Sequence, residues 1–361
     1  MLRTALFLLL MALPMAAQEY KIAVIGLVHS HVWGHLTVML KQQHAKLVGI
    51  AETNPELIAE AKRRGATEVP FFDDYKKMLD QAKPDIAWAF VENNRHLEMV
   101  QACAPRKVHV IFEKPLASTY QDAMAIERLA RQHNIQVMTN YQMAWWPANY
   151  AAKQQADSGA LGEVWRVRGV VGHGGPGSSG VGRFFFAWLT DPVKNGAGAL
   201  VDFGCYNALW AYWYMGRPDT VYAQVNRLQP EKFPKVEDNS IIVLNYKKGA
   251  AILEGSWDLP RSFQDLEVFG RKGSVHLREG KVELRKGQEA AQEIELPALP
   301  PERSAPIAYM VSCLKSGKPL QGLVSLEMNL PVNEIMEAAK MSIQSGRAIK
   351  LPLAVGQTGK K

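Results

Sequence analysis

The chain has 361 residues, 47% of them hydrophobic and 21% charged, a size and balance expected of a globular protein with two domains. Its formal net charge of +7 is spread along the chain apart from the terminal Lys360-Lys361 pair, with no basic block interleaved with aromatics, so no nucleic-acid partner is expected. Cys103, Cys205 and Cys313 lie far apart without a C-x-x-C pair; this excludes a zinc knuckle or disulfide framework, leaves one bridge open, and favours three buried thiols.

The first segment, "MLRTALFLLLMALPMAAQ", carries one cation, a short apolar run and then small residues. This is the layout of a secretory signal peptide covering residues 1–17, with cleavage after Ala17; the run is too short to span a bilayer. A periplasmic or secreted protein is expected, with no membrane contact after cleavage.

"KIAVIGL" reads as a buried strand, and "GLVHSHVWGH" as a glycine turn opening a helix from His31 to Gln43. The dinucleotide fingerprint G-x-G-x-x-G asks for glycine at positions 28 and 31, where the chain has Val28 and His31. Gly26 keeps the tight turn, and a helix N-terminus still offers free N–H groups and partial positive charge to a pyrophosphate. The candidate contacts are Gly26, Leu27, His29, Ser30 and His31, with Ser30 and His29 as side-chain donors. His31 and His35 are four apart on one helix face, and His29 is close, so an H-x-H-x-x-x-H metal site is conceivable. No matching Asp, Glu or Cys cluster is evident in the sequence. Packing histidines are the simpler reading, and no metal is expected.

"KLVGIAE" reads as a second strand, followed by a helix from about Pro55 to Arg64. Glu52 ends that strand, where a carboxylate accepts hydrogen bonds from a ribose diol and repels a 2′-phosphate; this favours NAD over NADP. The runs "DIAWAFV", "VHVIFEK" and "NIQVMTN" continue the alternation of strands and helices. A parallel sheet covered by helices on both faces follows, a Rossmann-type domain over residues 18–143 with ligands at the carboxyl ends of its strands. "VENNRH" puts Asn93 and His96 at one such end, suited to a ribose or nicotinamide amide. "FEKPLAST" puts Lys114 at another. A lysine there can hold or relay the proton of an alcohol losing hydride; a surface ion pair with Glu113 is the alternative.

From Ala144 the pattern turns β-rich, with "EVWRVRGVVGHGG", "DTVYAQVNRL", "NSIIVLNYKKGAAILEGSW" and "QDLEVFGRKGSVHLREGKVELRKG". Short turns suggest a meander of antiparallel strands, giving an α+β domain over residues 144–353 with a large open sheet. An aromatic-rich helix is expected from Gly204 to Met215, a proline-rich loop at "LPALPPERSAP", a closing helix from Leu326 to Ser345, and a frayed tail over 354–361.

Together these segments resemble the Gfo/Idh/MocA oxidoreductase family over nearly the whole mature chain. Glu113, Lys114 and Pro115 match its E-K-P motif. Asn93 and His96 are similar to its strand-end T-P-N-x-x-H, with Glu92 where proline is common. "ADSGALGEVWRV" resembles the family's entry into the second domain. "NGAGALVDFGCYNALWAYWYMGRP" resembles G-G-G-x-x-x-D-x-G, with Ala197 replacing a glycine.

The resemblance implies NAD as cofactor, with Glu113 and Lys114 beside it, and a small carbohydrate as substrate. It also implies Lys114, Asp202 and Tyr206 as the catalytic set. Tyr206 stands where many members have histidine and the glucose–fructose oxidoreductase-like branch has tyrosine. Residues 202 and 206 share a helix face, and a phenol near the lysine ammonium is expected to have a lowered pKa; one more packing aromatic is the plainer reading of Tyr206. Trp188 resembles the tryptophan of W-R-x-D-P, with Leu189 in place of arginine. Gln142, Trp145, His173, Arg183 and Trp188 are candidate sugar contacts. Family members pair through the open sheet, so a homo-oligomer is expected.

The leading expectation is NAD(P)-dependent oxidation of a sugar or cyclitol with tightly held cofactor, because no free nicotinamide pool exists outside the cytoplasm. The alternatives are an NAD-dependent glycosidase working by transient oxidation and elimination, and a carbohydrate-binding protein without cofactor.

Overall fold

The computed structural model describes residues 19–177 and 181–354. The expected signal peptide and residues 355–361 of the expected tail lie outside the described residues.

The first unit runs β1 (Tyr20–Ile25), α1 (Val32–Met39), β2 (Ala45–Ala51), α2 (Pro55–Arg63), β3 (Phe71–Phe72), α3 (Tyr75–Ala82), β4 (Ile86–Ala89), α4 (His96–Cys103), β5 (His109–Glu113), α5 (Tyr120–His133) and β6 (Val137–Asn140). Its six strands lie in the order β3-β2-β1-β4-β5-β6, all parallel. Parallel strands buried on both faces need apolar side chains at every position, which is why "KIAVI" and "IAWA" do not alternate. Helix starts are set locally. Asn54 accepts from Glu56 N–H ahead of Pro55, Asp74 accepts from Lys76 and Lys77, and Thr119 accepts from Asp122. Helix α1 stops at Met39, short of the expected Gln43, because the Gln42 side chain turns the chain by accepting from His44 N–H and Ala45 N–H.

The second unit runs α6 (Pro147–Asp157), β7 (Val164–Gly172), α7 (Arg183–Leu189), α8 (Pro192–Asn195), α9 (Ala199–Met215), β8 (Thr220–Asn226), β9 (Asn239–Tyr246), β10 (Gly249–Ser256), β11 (Phe263–Gly270), β12 (Gly273–Arg278), β13 (Lys281–Lys286), β14 (Gln292–Glu293), α10 (Pro306–Ser316), α11 (Leu326–Ser345) and β15 (Ile349–Lys350). The nine strands are mostly antiparallel, in the order β14-β13-β12-β11-β7-β10-β9-β8-β15. The sheet is not the simple meander the turns suggest. β7 inserts between β11 and β10 and runs parallel to β10, so the first strand of the unit sits at its centre.

Helix α9 lies on β7 and β10 and is buried on all sides from Ala199 to Ala211, as a helix apolar around its whole circumference must be. Gly169 permits the close approach: a Cβ there would sit 2.3 Å from Asn207 Oδ1. The helix begins at Ala199, earlier than the expected Gly204. The Glu237 carboxylate, 39 residues ahead in sequence, accepts from Gly198 N–H at 2.7 Å and Leu200 N–H at 3.0 Å. This distant cap places Asp202 in the first turn, where the helix dipole favours a carboxylate.

Helix α11 fastens the two sheets together, packing on α5 on one side and on α9 and β8 on the other. Across this seam Asn333 Nδ2 donates to Ala117 O at 2.7 Å and Lys340 Nζ to Ser118 O at 2.9 Å. All three cysteines are buried free thiols. Among the described residues no helix is long and apolar enough to cross a membrane.

Candidate active site

The carboxyl ends of β1, β5 and β6 meet the start of α9 around a cavity of about 710 Å³. Lys114, immediately after β5, and Asp202 and Tyr206, one turn apart on α9, form one wall. Lys114 and Asp202 are each only 6% exposed. Lys114 Nζ donates to the Asp202 backbone carbonyl at 2.9 Å and also to its Oδ1, while Trp257 Nε1 donates to Oδ2 at 2.8 Å. Burial opposes both charges, but their mutual attraction wins, raising the Lys114 pKa and lowering that of Asp202. Lys114 therefore neither ion-pairs with Glu113 nor lies on the surface.

Tyr206 corrects an expectation. Burial raises its pKa above the ordinary phenol value, and Lys114 offsets only part of this. The ammonium gives two of its three N–H donors to Asp202 and lies 5.2 Å from the centroid of the Tyr206 ring. Near neutral pH the phenol keeps its proton. Tyr141 packs edge-on against the ring at 5.1 Å, and no partner for the Tyr206 hydroxyl lies among the described residues.

The candidate sugar contacts divide. Gln142, His173 and Arg183 line the cavity, whereas Trp145 and Trp188 do not. Burial lowers the His173 pKa, so the ring is neutral; Nδ1 accepts from Gly175 N–H at 2.9 Å, leaving Nε2 to carry the proton. Arg183 pairs with Glu56 at the rim. The Trp145 indole donates to Asn140 Oδ1 at 2.8 Å. The Trp188 indole donates to Val28 O at 3.3 Å, and Phe185 packs 4.5 Å from the His29 ring. Helix α7 therefore covers the β1–α1 turn, with Gly182 N–H donating to Ser30 Oγ at 3.2 Å.

In the turn itself Gly26 has φ +74°, and a Cβ there would lie 2.7 Å from Val91 Cγ1, so only glycine fits. Glu52 accepts from Leu27, Thr53 and Asn54 N–H at 2.8–2.9 Å. A carboxylate has about four lone-pair sites, so one remains for a ribose hydroxyl. Ser30 and His31 line the cavity, and His31 swings aside toward Glu113. The tight glycine and the strand-end carboxylate fit a dinucleotide, but the expected free donors of the turn are engaged. Gly26 N–H gives to Ala51 O, Leu27 N–H to Glu52, His29 N–H to Phe90 O and His31 N–H to His29 Nδ1, and Leu27 and His29 are buried.

Asn93 and His96 do not reach the cavity. Asn93 Nδ2 donates to Asn195 Oδ1 at 2.8 Å, tying the end of β4 to α8. His96 is fully buried, stacked on Phe112 at 4.2 Å, with Nδ1 donating to Leu116 O at 3.1 Å; burial lowers its pKa to about 4, so it stays neutral. Both serve the frame behind the site.

Glu113 brings in a group that the spacing of the chain hides. It is 1% exposed and takes His31 Nδ1–H on Oε2 at 2.8 Å and Asn140 Nδ2–H on Oε1 at 2.7 Å, with His35 Nε2 3.5 Å from Oε1. Burial alone would raise its pKa, but the two imidazoles hold it well below the usual carboxylate range. Nitrogen atoms of His29 and His31 and an oxygen of Glu113 all lie within 4.8 Å of one another. The carboxylate missing from the histidine cluster in the sequence thus arrives from β5. Asn140 and Trp257, which hold Glu113 and Asp202, carried no sequence signal; each acts across dozens of residues.

Residues 20–141 match the model of an oxidoreductase family with an NAD-binding Rossmann fold, and residues 150–276 match the GFO/IDH/MocA C-terminal domain. Levoglucosan dehydrogenase of Pseudarthrobacter phenanthrenivorans is 30% identical over 256 residues, a match spanning 63% of this chain and 63% of that protein's length. Myo-inositol 2-dehydrogenase of Thermotoga maritima is 23% identical over 86% of this chain and 93% of its own. The crystal structure of aldose-aldose oxidoreductase from Caulobacter crescentus, complexed with glycerol, superposes with a TM-score of 0.78 at 21% identity, over 92% of this chain and all of that one. Likeness at that identity concerns the fold.

Proposed function

Because the chain belongs to the Gfo/Idh/MocA family of oxidoreductases, we propose that it interconverts a secondary alcohol and a ketone on a sugar or cyclitol, using NAD. The observation that carries this reading is the buried Lys114–Asp202 pair beside the Tyr206 hydroxyl in one cavity. Gly26, Ser30 and Glu52 would hold the cofactor, and its carboxylate neighbour Glu52 favours NAD over its 2′-phosphorylated form. Bound nicotinamide supplies the acceptor or donor of hydride.

The protein's own part is placement and proton handling. Lys114, fixed by Asp202, hydrogen-bonds the reacting oxygen and stabilises negative charge on it. Tyr206 exchanges the proton of that oxygen. Because burial holds the phenol protonated, giving a proton to a ketone oxygen is its ready direction, and taking one from an alcohol is limited by pH. His173 and Gln142 line the same cavity and would bind neighbouring hydroxyls of the ring.

The leader-like N-terminal segment supports action outside the cytoplasm, which requires that cofactor stay bound between turnovers. Exposed Tyr222 and Ile241 on the open sheet support self-association there.

The test is to denature the purified protein, look for released nicotinamide by absorbance and mass, and assay sugars and cyclitols for ketone products. Bound or acquired NAD with ketone formation is the expected result. A chain that neither carries nor takes up nicotinamide overturns the reading; cleavage of aryl glycosides by a nicotinamide-loaded chain that releases no ketone product replaces it with transient oxidation.

A further inference from the structure

We propose that His29, His31 and Glu113 form a site for a divalent first-row transition ion such as Zn²⁺, between the β1–α1 turn and the end of β5. The proposal goes beyond the redox reading and stands independently of it.

Charge is the first ground. Glu113 is 99% buried by exposure, and among the described residues only imidazoles approach it as ionic partners. Its sequence neighbour Lys114 is directed to Asp202 instead. A carboxylate buried without a permanent cation is costly, and a metal ion supplies one.

Donor type and place are the second. Two imidazoles and a carboxylate are the borderline-soft set that holds zinc and its neighbours, and their ligating atoms already lie within 4.8 Å of one another. An ion about 2.1 Å from each donor sets tetrahedral donors about 3.4 Å apart, so the directly bonded His31 and Glu113 atoms, 2.8 Å apart, would open and any wider side of the triangle would close. His29 and His31 come from one turn, two residues apart, and the carboxylate from the strand end beside it.

The surroundings are the third. Asn140 Nδ2 donates to the Glu113 oxygen that does not face His31, and the Trp145 indole in turn holds Asn140 Oδ1 at 2.8 Å. Such outer bonds orient a ligating carboxylate. His31 lines the cavity with Lys114 and Tyr206, whereas His29 and Glu113 are buried behind it, so a substrate would approach the ion from the His31 side. There an ion would polarise a hydroxyl or carbonyl oxygen, which neither the ammonium nor the protonated phenol does as a Lewis acid. The same placement accounts for histidine at position 31, where a glycine loop would have its third glycine.

The full chain, without a histidine tag, is stripped by chelator, dialysed against Zn²⁺ and measured by elemental mass spectrometry. A Co²⁺-loaded sample is read by visible absorption. One tightly held ion per chain and a Co²⁺ d–d band are expected, with affinity at least a hundredfold weaker in His31→Gln and in Glu113→Gln. Exposed His44→Gln should bind as the wild type does. Circular dichroism separates a lost ion from a lost fold, and the partly exposed His31 keeps the test available if Glu113→Gln does not fold. A wild-type chain that retains no ion, or equal binding in a folded His31→Gln, overturns the proposal. Nicotinamide is measured on the same samples: nicotinamide without metal rejects this inference alone, and metal without nicotinamide rejects the redox reading alone.

Discussion

Replacing Lys114 with methionine removes the ammonium while keeping an unbranched chain in the same space. Asp202 would then lose the partner on Oδ1 and on its backbone carbonyl, keeping only the Trp257 indole on Oδ2. Breaking a buried pair from one side costs about 3–5 kcal/mol; the surviving indole bond puts this case near the lower end, about 3 kcal/mol. The deficit should depend on pH. In the wild type Asp202 is depressed and Lys114 raised, so the pair's contribution is lost only as pH falls through the lowered Asp202 pKa or rises through the raised Lys114 pKa. Between pH 5 and 8 it is constant. In Lys114→Met, burial is the largest influence left on Asp202, opposed only by the Trp257 indole and His173, and it raises the pKa, so the folded variant binds a proton that the unfolded chain releases. That variant's stability then falls as pH rises, by about 1.4 kcal/mol for each unit of upward shift traversed. Urea unfolding followed by tryptophan fluorescence at pH 5, 6, 7 and 8 measures the gap, which should widen toward pH 8. A variant within about 0.5 kcal/mol of wild type at pH 8, or a deficit equal at pH 5 and pH 8, would refute the account of a buried pair.

Gly26→Ala should lose about 2 kcal/mol in thermal denaturation, from a left-handed backbone and the contact with Val91 Cγ1; Val91→Ala in the double variant should restore only the steric share. Tyr206→Phe should fold as the wild type does, since its hydroxyl has no partner among the described residues, and lower kcat about a hundredfold with a smaller change in KM. For the wild type, the initial rate of alcohol oxidation should rise about tenfold per pH unit from pH 7 to 9, because the raised pKa leaves little phenolate; a flat profile removes Tyr206 from proton transfer. Arg183→Ala should shift stability by less than about 1 kcal/mol, its pair with Glu56 being exposed, while any rise in substrate KM would place it against the sugar.

Local signals carried most of the frame. The apolar runs of β1, β2, β4, β5 and β6 bury both faces of a parallel sheet, so their pattern is visible without knowing their neighbours. The span of α11 was readable as Leu326–Ser345 because its Ser325 cap and Gly346 stop are adjacent in sequence. Helix α9 was misjudged at its start because its cap comes from Glu237, and the sheet was misjudged because β7 pairs with strands made later in the chain. Asn93 and His96 looked like ligand contacts because polar residues at a strand end often are, yet α8 and the Leu116 carbonyl claim them first.

By itself the sequence determined the alternation that builds the first sheet, the glycine that turns the chain after β1, and the four-residue spacing that sets Asp202 and Tyr206 on one helix face. Each is a consequence of backbone sterics and side-chain periodicity over a few residues. Tertiary structure alone decided which charge meets which: Lys114 reaches across 88 residues to Asp202, while Glu113 beside it turns to His31. Neighbours in sequence leave a strand on opposite faces, and in a dry interior each charged group is held by whatever the folded chain brings against it.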